Sequence, residues 1–134
     1  MLFRSVVKGL IAPEDARLAR EHGCDGVMVS NHGGRQLDYT VSALRTLPEI
    51  AAEKGNMTVM MDGGIRRGTD VIKALALGAD FVWIGRPFLY GAVVAGEAGV
   101  ARAISLLHAE IDRDLALLGI RSLKEITPDL VRKY

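Results

Sequence analysis

Residues 58–87 read TVMMDGGIRRGTDVIKALALGADFVWIGRP, two short apolar runs with a helical pattern between them. The runs at 58–62 and 81–85 are rich in Val, Met and Ile and carry no charge before their last residue. Such continuous runs are typical of strands buried on both faces in a parallel sheet. A helix over 69–77 would end at Gly78, a common C-terminal cap. The stretch therefore predicts a strand–helix–strand unit with parallel strands.

The same pattern continues on both sides of this unit. Two further strands are predicted over 6–10 and 26–30. The predicted helices cover 13–22, 41–54, 87–96 and 100–118, the last as an amphipathic stretch. Pro48 predicts a kink or a split in the second helix. Four βα units without a hairpin signal predict an α/β architecture, either a small open sheet or half of a (β/α)₈ barrel.

Composition and charge exclude several classes of protein. The 134 residues suit one domain and are too few for a closed eight-stranded barrel, which needs ~250 residues. Hydrophobic residues make up 49%, and the net charge of +1 gives no reason to expect nucleic acid as a partner. A single cysteine, Cys24, fits a reducing compartment. No apolar run reaches the ~18–20 residues that span a bilayer, and no metal site is expected.

The first residues read differently from the rest. Residues 2–5 (LFRS) match what the end of a common sequencing adapter encodes in one frame. We interpret 1–5 as an artificial start on a truncated gene, with an ordinary short N-terminal strand as the alternative.

Glycine and arginine collect at the ends of the last two predicted strands. The third strand runs into the DGG sequence of 62–64 and then Arg66, and the fourth runs into Gly85 and Arg86. Backbone N–H groups at glycines and guanidinium groups both suit phosphate oxygens. In barrels the loops after strands seven and eight usually hold phosphate, so these strands would be the seventh and eighth. The alternative is that the glycines only form turns and the arginines are solvated.

Three further side chains at strand ends suit catalysis. His32 can exchange a proton near neutral pH, and Arg35 could hold a substrate carboxylate in a bidentate fork beside it. Lys8, beside a phosphate-bearing cofactor, could stabilise a reduced, anionic ring. The alternatives are a structural histidine and a lysine that is paired with a carboxylate not identified from the sequence.

The nine residues SNHGGRQLD at 30–38 resemble the active-site signature of the FMN-dependent 2-hydroxy-acid oxidases and dehydrogenases, which include glycolate oxidase, L-lactate dehydrogenase and mandelate dehydrogenase. VVKGL at 6–10, DGGIRRGTD at 62–70 and ALGADFVWIGRPFLYG at 76–91 match neighbouring family motifs in the same order. The resemblance covers roughly Val6 to the C-terminus. It implies that residues 1–134 are part of one FMN-dependent domain and form the C-terminal half, strands 5–8, of a (β/α)₈ barrel.

The resemblance also implies a role for each matching residue. His32 resembles the catalytic base, which also contacts the substrate, and Arg35 resembles the arginine that binds the substrate carboxylate. Lys8 and Ser30 resemble residues that contact the flavin ring. The positions that resemble the remaining cofactor-binding loops, including the phosphate site, are Asp62, Gly63, Gly64, Arg66, Gly85 and Arg86.

The family's first four βα units have no counterpart in the sequence. They would supply further flavin contacts and the aspartate that orients the catalytic histidine. Asp38 and Asp62 do not match that aspartate.

The implied function of the intact protein is FMN-dependent oxidation of an L-2-hydroxy acid, of the lactate, glycolate or mandelate type, to the 2-oxo acid. Oxygen, a quinone or a cytochrome would accept the electrons. We expect a homo-oligomer in the cytoplasm, or attached peripherally to the inner membrane. Two alternatives stay open. One is an inactive half-barrel that needs a partner half. The other is a different FMN- or phosphate-binding barrel, such as an inosinate dehydrogenase, which shares the glycine–arginine loops but lacks the His-Gly-Gly-Arg-Gln run.

Overall fold

The computed structural model describes residues 4–132, so most of the predicted artificial start lies outside the described residues. The strands are β1 (Val6–Leu10), β2 (Gly26–Val29), β3 (Thr58–Met61) and β4 (Phe81–Val82). The α-helices are α1 (Pro13–Glu21), α2 (Ala43–Ala52), α3 (Gly68–Ala76) and α4 (Arg86–Leu117). Short 3₁₀ turns cover His32–Gly34, Leu123–Glu125 and Pro128–Leu130.

All four strands pair in parallel and in chain order, β1-β2-β3-β4. The α/β prediction with a parallel sheet is therefore confirmed. Right-handed crossovers that always step in the same direction place their helices on one face of a sheet. A doubly wound sheet reverses its strand order at a switch point, and the described strands contain no such reversal. The register of β1 shifts between Lys8 and Leu10, where Gly9 has a φ of 97°.

The two faces of the sheet differ in burial. On the face toward the helices, Val27, Val29 and Val59 are fully buried and pack with the helix core that includes Leu47 and Ile50. The other face carries a row of side chains in register, formed by Lys8, Met28, Met60 and Phe81. The prediction that every strand is buried on both faces is wrong for the two edge strands. Phe81 is 51% exposed, because an edge strand has one neighbouring strand and the helices cover only one face.

The predicted helices are present, with differences in detail. The second helix, expected over 41–54, covers Ala43–Ala52. The second helix continues through Pro48 without being split there. The predicted third helix lies one residue earlier than expected at each end. The C-terminal glycines behave as expected, since Gly23 and Gly78 follow their helices with φ of 75° and 108°.

The predicted end of a helix near Gly96 corresponds to a sharp break within α4. Ala95 (φ −151°, ψ 28°) and Gly96 (φ 55°, ψ −135°) leave helical geometry. A Cβ on Gly91 would lie 2.6 Å from the carbonyl oxygen of Gly99. In a straight helix, residues eight apart lie about 12 Å apart along the axis, so the chain must turn back at the break.

By length and composition alone, α4 could cross a membrane, and it is the one such helix in the described part of the chain. The break at Ala95 and Gly96 divides it, and Glu97 lies beside the break. A membrane span requires about 20 consecutive apolar residues in one helix. The segment is therefore weak support for a transmembrane assignment.

Candidate active site

A cleft of about 470 Å³ opens at the carboxyl ends of the strands. Nine of the ten residues singled out in the sequence line it, namely Lys8, His32, Arg35, Asp62, Gly63, Gly64, Arg66, Gly85 and Arg86. The tenth, Ser30, is 1% exposed and is not part of the lining. Parallel pairing thus brings together residues that come from four separate loops.

Lys8, Ser30 and Asp62 form a polar group across the first three strands. Lys8 Nζ lies 2.9 Å from Asp62 Oδ2 and donates a hydrogen bond of 3.0 Å to Ser30 Oγ. Asp62 is therefore the carboxylate partner of Lys8 that the sequence left unidentified. Its other oxygen, Oδ1, is buried and has no hydrogen-bond partner among residues 4–132.

The loop after β2 presents His32 in an unusual backbone conformation. His32, Gly33 and Gly34 all have positive φ, at 57°, 68° and 72°. Ser30 Oγ accepts the backbone N–H of His32 at 3.1 Å, which ties the start of this loop to Lys8. Glycine adopts positive φ freely, whereas histidine does so at a cost of order 1 kcal/mol. The strain at His32 is a feature often found at functional sites.

The imidazole of His32 has no hydrogen-bond or ion-pair partner within the described range. Asp62 is engaged with Lys8, and Asp38 is exposed in the following loop and makes no hydrogen bond or ion pair among residues 4–132.

Two arginines reach the His32 loop. Arg35 is exposed, lines the cleft and has no carboxylate partner in the described region. Arg86 comes from the start of α4, and its Nη2 lies 3.6 Å from the position that a Cβ on Gly33 would occupy. The sequence did not predict this contact between the fourth and second strand ends.

The glycine loops leave room beside the backbone. Gly63 and Gly64 have φ of 91° and 82°. A Cβ added to Gly64 or to Gly85 would meet no atom within 4 Å. Gly85 precedes the first turn of α4, where the N–H of Arg86 has no intrahelical acceptor, Pro87 has no N–H, and the N–H of Phe88 donates to the Gly85 carbonyl at 3.0 Å. This open space, the helix N-terminus and Arg86 fit a phosphate-bearing ligand.

Sequence reasoning missed the apolar wall of the cleft. Trp83, Ile84, Leu89 and Tyr90 line it. Trp83 is 48% exposed, its ring lies 5.1 Å from that of Phe81, and its Nε1 donates to Met60 Sδ at 3.3 Å. Strand alternation could have placed the Trp83 side chain on this face, opposite the core-packed Val82. In the described residues, no group of three or more His, Cys, Asp or Glu could hold a metal ion.

Comparison with known proteins identifies the family. A family model described as FMN-dependent dehydrogenase matches residues 3–133. The chain belongs to this family, which confirms the resemblance found at 30–38.

Three similar proteins show how much of a family member the chain represents. It is 49% identical over 128 residues to 2-hydroxyacid oxidase 2 of Rattus norvegicus, covering 95% of this chain and 36% of that protein. It is 51% identical over 129 residues to an L-lactate dehydrogenase of Ectopseudomonas mendocina, covering 96% of this chain and 34% of that protein. It is 52% identical over 123 residues to glycolate oxidase of Spinacia oleracea, covering 91% and 33%. The chain therefore spans about a third of the length of these relatives.

Solved structures show the same fold over a similar fraction, about a third, of each matched protein. A mutant of (S)-mandelate dehydrogenase superposes with a TM-score of 0.95 at 44% identity, over 100% of this chain and 38% of that one. A flavocytochrome b2 variant with bound sulfite superposes with a TM-score of 0.92 at 45% identity. The match covers 97% of this chain and 35% of that one.

We expect the Ser30→Ala variant of the complete protein to be destabilised by about 1–3 kcal/mol, because the N–H of His32 and Nζ of Lys8 both lose an acceptor at a buried position. Urea unfolding measures the change. Ser105→Ala is the matched control, since its hydroxyl only donates to Ala101 on an exposed helix surface. It should change stability by less than about 0.5 kcal/mol. Equal effects of both variants would contradict a stabilising role for Ser30.

Proposed function

We propose that the complete protein containing this chain oxidises an L-2-hydroxy acid to the 2-oxo acid with FMN as cofactor. The observation that carries the proposal is one cleft in which His32 and Arg35 face the glycine–arginine loops. The named relatives, an L-lactate dehydrogenase, a glycolate oxidase and a 2-hydroxyacid oxidase, support this reaction class. Lactate, glycolate and mandelate are the substrate types that we propose.

We also propose that residues 1–134 form strands 5–8 of a (β/α)₈ barrel, as part of one FMN-dependent domain. The sequential parallel order supports this arrangement, because a barrel never reverses its strand order. Superposition on 38% of (S)-mandelate dehydrogenase at high TM-score is consistent with it. The loops after β3 and β4 would then be the seventh and eighth, the usual phosphate site of such barrels.

The cleft residues fit FMN in two groups. The phosphate would be held by Arg66, by Arg86 and by backbone N–H groups at Gly63, Gly64 and Gly85, and beside the last two no side chain fills the space. The flavin ring would lie near Lys8 and Ser30, and Asp62 would hold the Lys8 ammonium in place. When bound, FMN supplies the two-electron acceptor that the reaction needs.

The chain's own residues would prepare the substrate. Arg35 would bind the carboxylate through two charge-assisted hydrogen bonds and so orient the neighbouring hydroxyl-bearing carbon. His32 would accept a proton from the substrate as general base. Lys8 would place a positive charge at the edge of the flavin ring, where negative charge develops as the substrate is oxidised and the flavin is reduced.

The other reactants follow from the same reasoning: a small 2-hydroxy acid is the substrate, and oxygen, a quinone or a cytochrome accepts the electrons. The similar solved structures include a mandelate oxidase and a flavocytochrome. We propose a homo-oligomer in the cytoplasm or attached peripherally to the inner membrane. A similar (S)-mandelate dehydrogenase is a monotopic membrane protein, which supports the second location.

The reaction is tested by mixing the FMN-loaded complete protein anaerobically with L-lactate, glycolate and L-mandelate. We expect loss of the visible flavin absorbance with at least one of these acids. If none of them bleaches the flavin, the proposed reaction is wrong.

In the same assay, we expect His32→Gln to slow flavin reduction by roughly 10²–10⁴-fold, the usual contribution of a general base. Substrate should still bind, because Arg35 is intact. His108→Gln is the matched control on an exposed part of α4 and should leave the rate unchanged. If His32→Gln instead releases FMN and keeps the rate per bound flavin, His32 is structural.

We expect Arg35→Lys to weaken substrate binding by roughly 1.5–3 kcal/mol, because the charge remains but the fork is lost. FMN content should stay constant, since phosphate binding is assigned to Arg66 and Arg86. Substrate titration and flavin absorbance measure the two quantities. Arg45→Lys, on the exposed surface of α2 and outside the cleft, is the control. Loss of FMN in Arg35→Lys would contradict the assignment.

For the 134 residues alone we propose a second hypothesis: they form an inactive half-barrel that needs a partner half for activity. The uncovered sheet face and the two edge strands support it, since Phe81 and Trp83 are about half exposed there. Gel filtration should show self-association or aggregation, and FMN titration should show no stoichiometric tight binding. A monomer that binds one FMN tightly and turns over substrate would refute this reading.

A further inference from the structure

The N-terminus of α3 directly follows the two adjacent arginines, and carboxylates already bind the backbone N–H groups of residues 66–68 at this helix end. Asp70 Oδ2 accepts the N–H groups of Arg66 and Arg67, both at 3.0 Å. Glu110 Oε2, which comes from α4, accepts the N–H of Gly68 at 2.8 Å. A phosphate at this helix end would meet negative charge instead of free donors. The anion site must therefore be built from other groups of the cleft.

Glu110 is paired with the one of the two arginines that does not line the cleft. Its Oε1 lies 2.8 Å from Arg67 Nη2, and its side chain is only 17% exposed. Arg66 lines the cleft, whereas Arg67 does not. Arg66 has no carboxylate partner for its guanidinium in the described part of the chain. The ion pair thus holds Arg67 on the outer helices and leaves Arg66 available for an anion.

Close packing leaves little freedom at this contact. A Cβ on Gly68 would lie 2.7 Å from both Glu110 Cβ and the backbone nitrogen of Ile111. The backbone of α4 therefore touches the first residue of α3. Because Gly68 is buried in this contact, the loop that carries Arg66 is fixed directly by the position of Glu110.

We propose that Glu110 is a positioning residue for the phosphate end of FMN, an inference that rests on the proposed function. Glu110 lies outside the cleft lining and acts through the loop at 66–68. Glu110 binds the N–H of Gly68 and the guanidinium of Arg67. Arg66 is then the arginine of this loop that is available to the phosphate. We expect the effect to be selective for the phosphate, because Lys8 and Ser30, the proposed ring contacts, make no hydrogen bond or ion pair with residues 66–68 in the described part of the chain.

The test compares FMN with riboflavin, which has the same ring and no phosphate, by fluorescence titration of the complete apoprotein. We expect Glu110→Ala to weaken FMN binding roughly tenfold, the scale of one charge-assisted contact, and riboflavin binding by less than about twofold. Glu110→Asp keeps the charge but shortens the reach, so it should show the same selective loss. Glu110→Gln keeps an oxygen acceptor for Gly68 but loses the charge that pairs with Arg67, so its loss of FMN affinity should lie between that of Glu110→Ala and none.

Asp112→Asn is the matched control, an exposed carboxylate on the same helix with no contact elsewhere in the described residues, and it should change neither affinity. Arg66→Ala should lose FMN selectively, whereas Arg67→Ala should not. Equal weakening of both flavins in the Glu110 variants, or no weakening, would overturn the inference while leaving FMN binding by the unaltered protein intact. An unaltered protein that binds no FMN would instead overturn the proposed function itself.

Discussion

Parallel pairing in chain order brings the carboxyl ends of all four strands to one edge of the sheet, and the cleft depends on this constraint. β1 pairs with β2, β2 with β3 and β3 with β4, so the strand order in the sheet follows the chain and never reverses. Each strand end therefore delivers its loop to the same side. Arg86, from the start of α4, comes close to Gly33 in the second loop only because of this alignment.

The ion pair between Lys8 and Asp62 links the first strand to the third above Ser30. Lys8 is 45% exposed and Asp62 is 23% exposed, so solvent screening keeps the contribution of the pair to the free energy of unfolding small. Its importance is positional, since it fixes an ammonium group beside the cleft. The hydrogen bond from the His32 N–H to the same Ser30 hydroxyl couples the histidine loop to that ammonium. His32, the proposed base, and Lys8, the proposed ring contact, therefore both donate a hydrogen bond to Ser30 Oγ.

The two helix N-termini next to the cleft have opposite electrostatic characters. At the start of α3, Asp70 and Glu110 already accept the backbone N–H groups of residues 66–68. At α4, Gly85 precedes a first turn with open space beside it. The macrodipole of α4 is thus available to an external anion, whereas that of α3 is neutralised within the protein. This asymmetry would direct the phosphate of a cofactor toward Arg66, Gly85 and Arg86.

Local sequence by itself determined the elements of the fold and the polar and glycine residues of the cleft, but not its apolar wall. Charge-free apolar runs predicted the strands, glycines such as Gly23 and Gly78 predicted the helix ends, and the motif at 30–38 indicated the family, because each signal lies within a few residues. Tertiary structure alone decided which groups meet. The pairing of Lys8 with Asp62, the reach of Arg86 to Gly33 and the exposure of Phe81 were not predictable locally. The contact of Glu110 with Gly68 spans 42 residues, and no periodicity or spacing encodes such a contact. It arises only when two helices pack, because packing depends on the whole sheet and not on neighbouring residues in the chain.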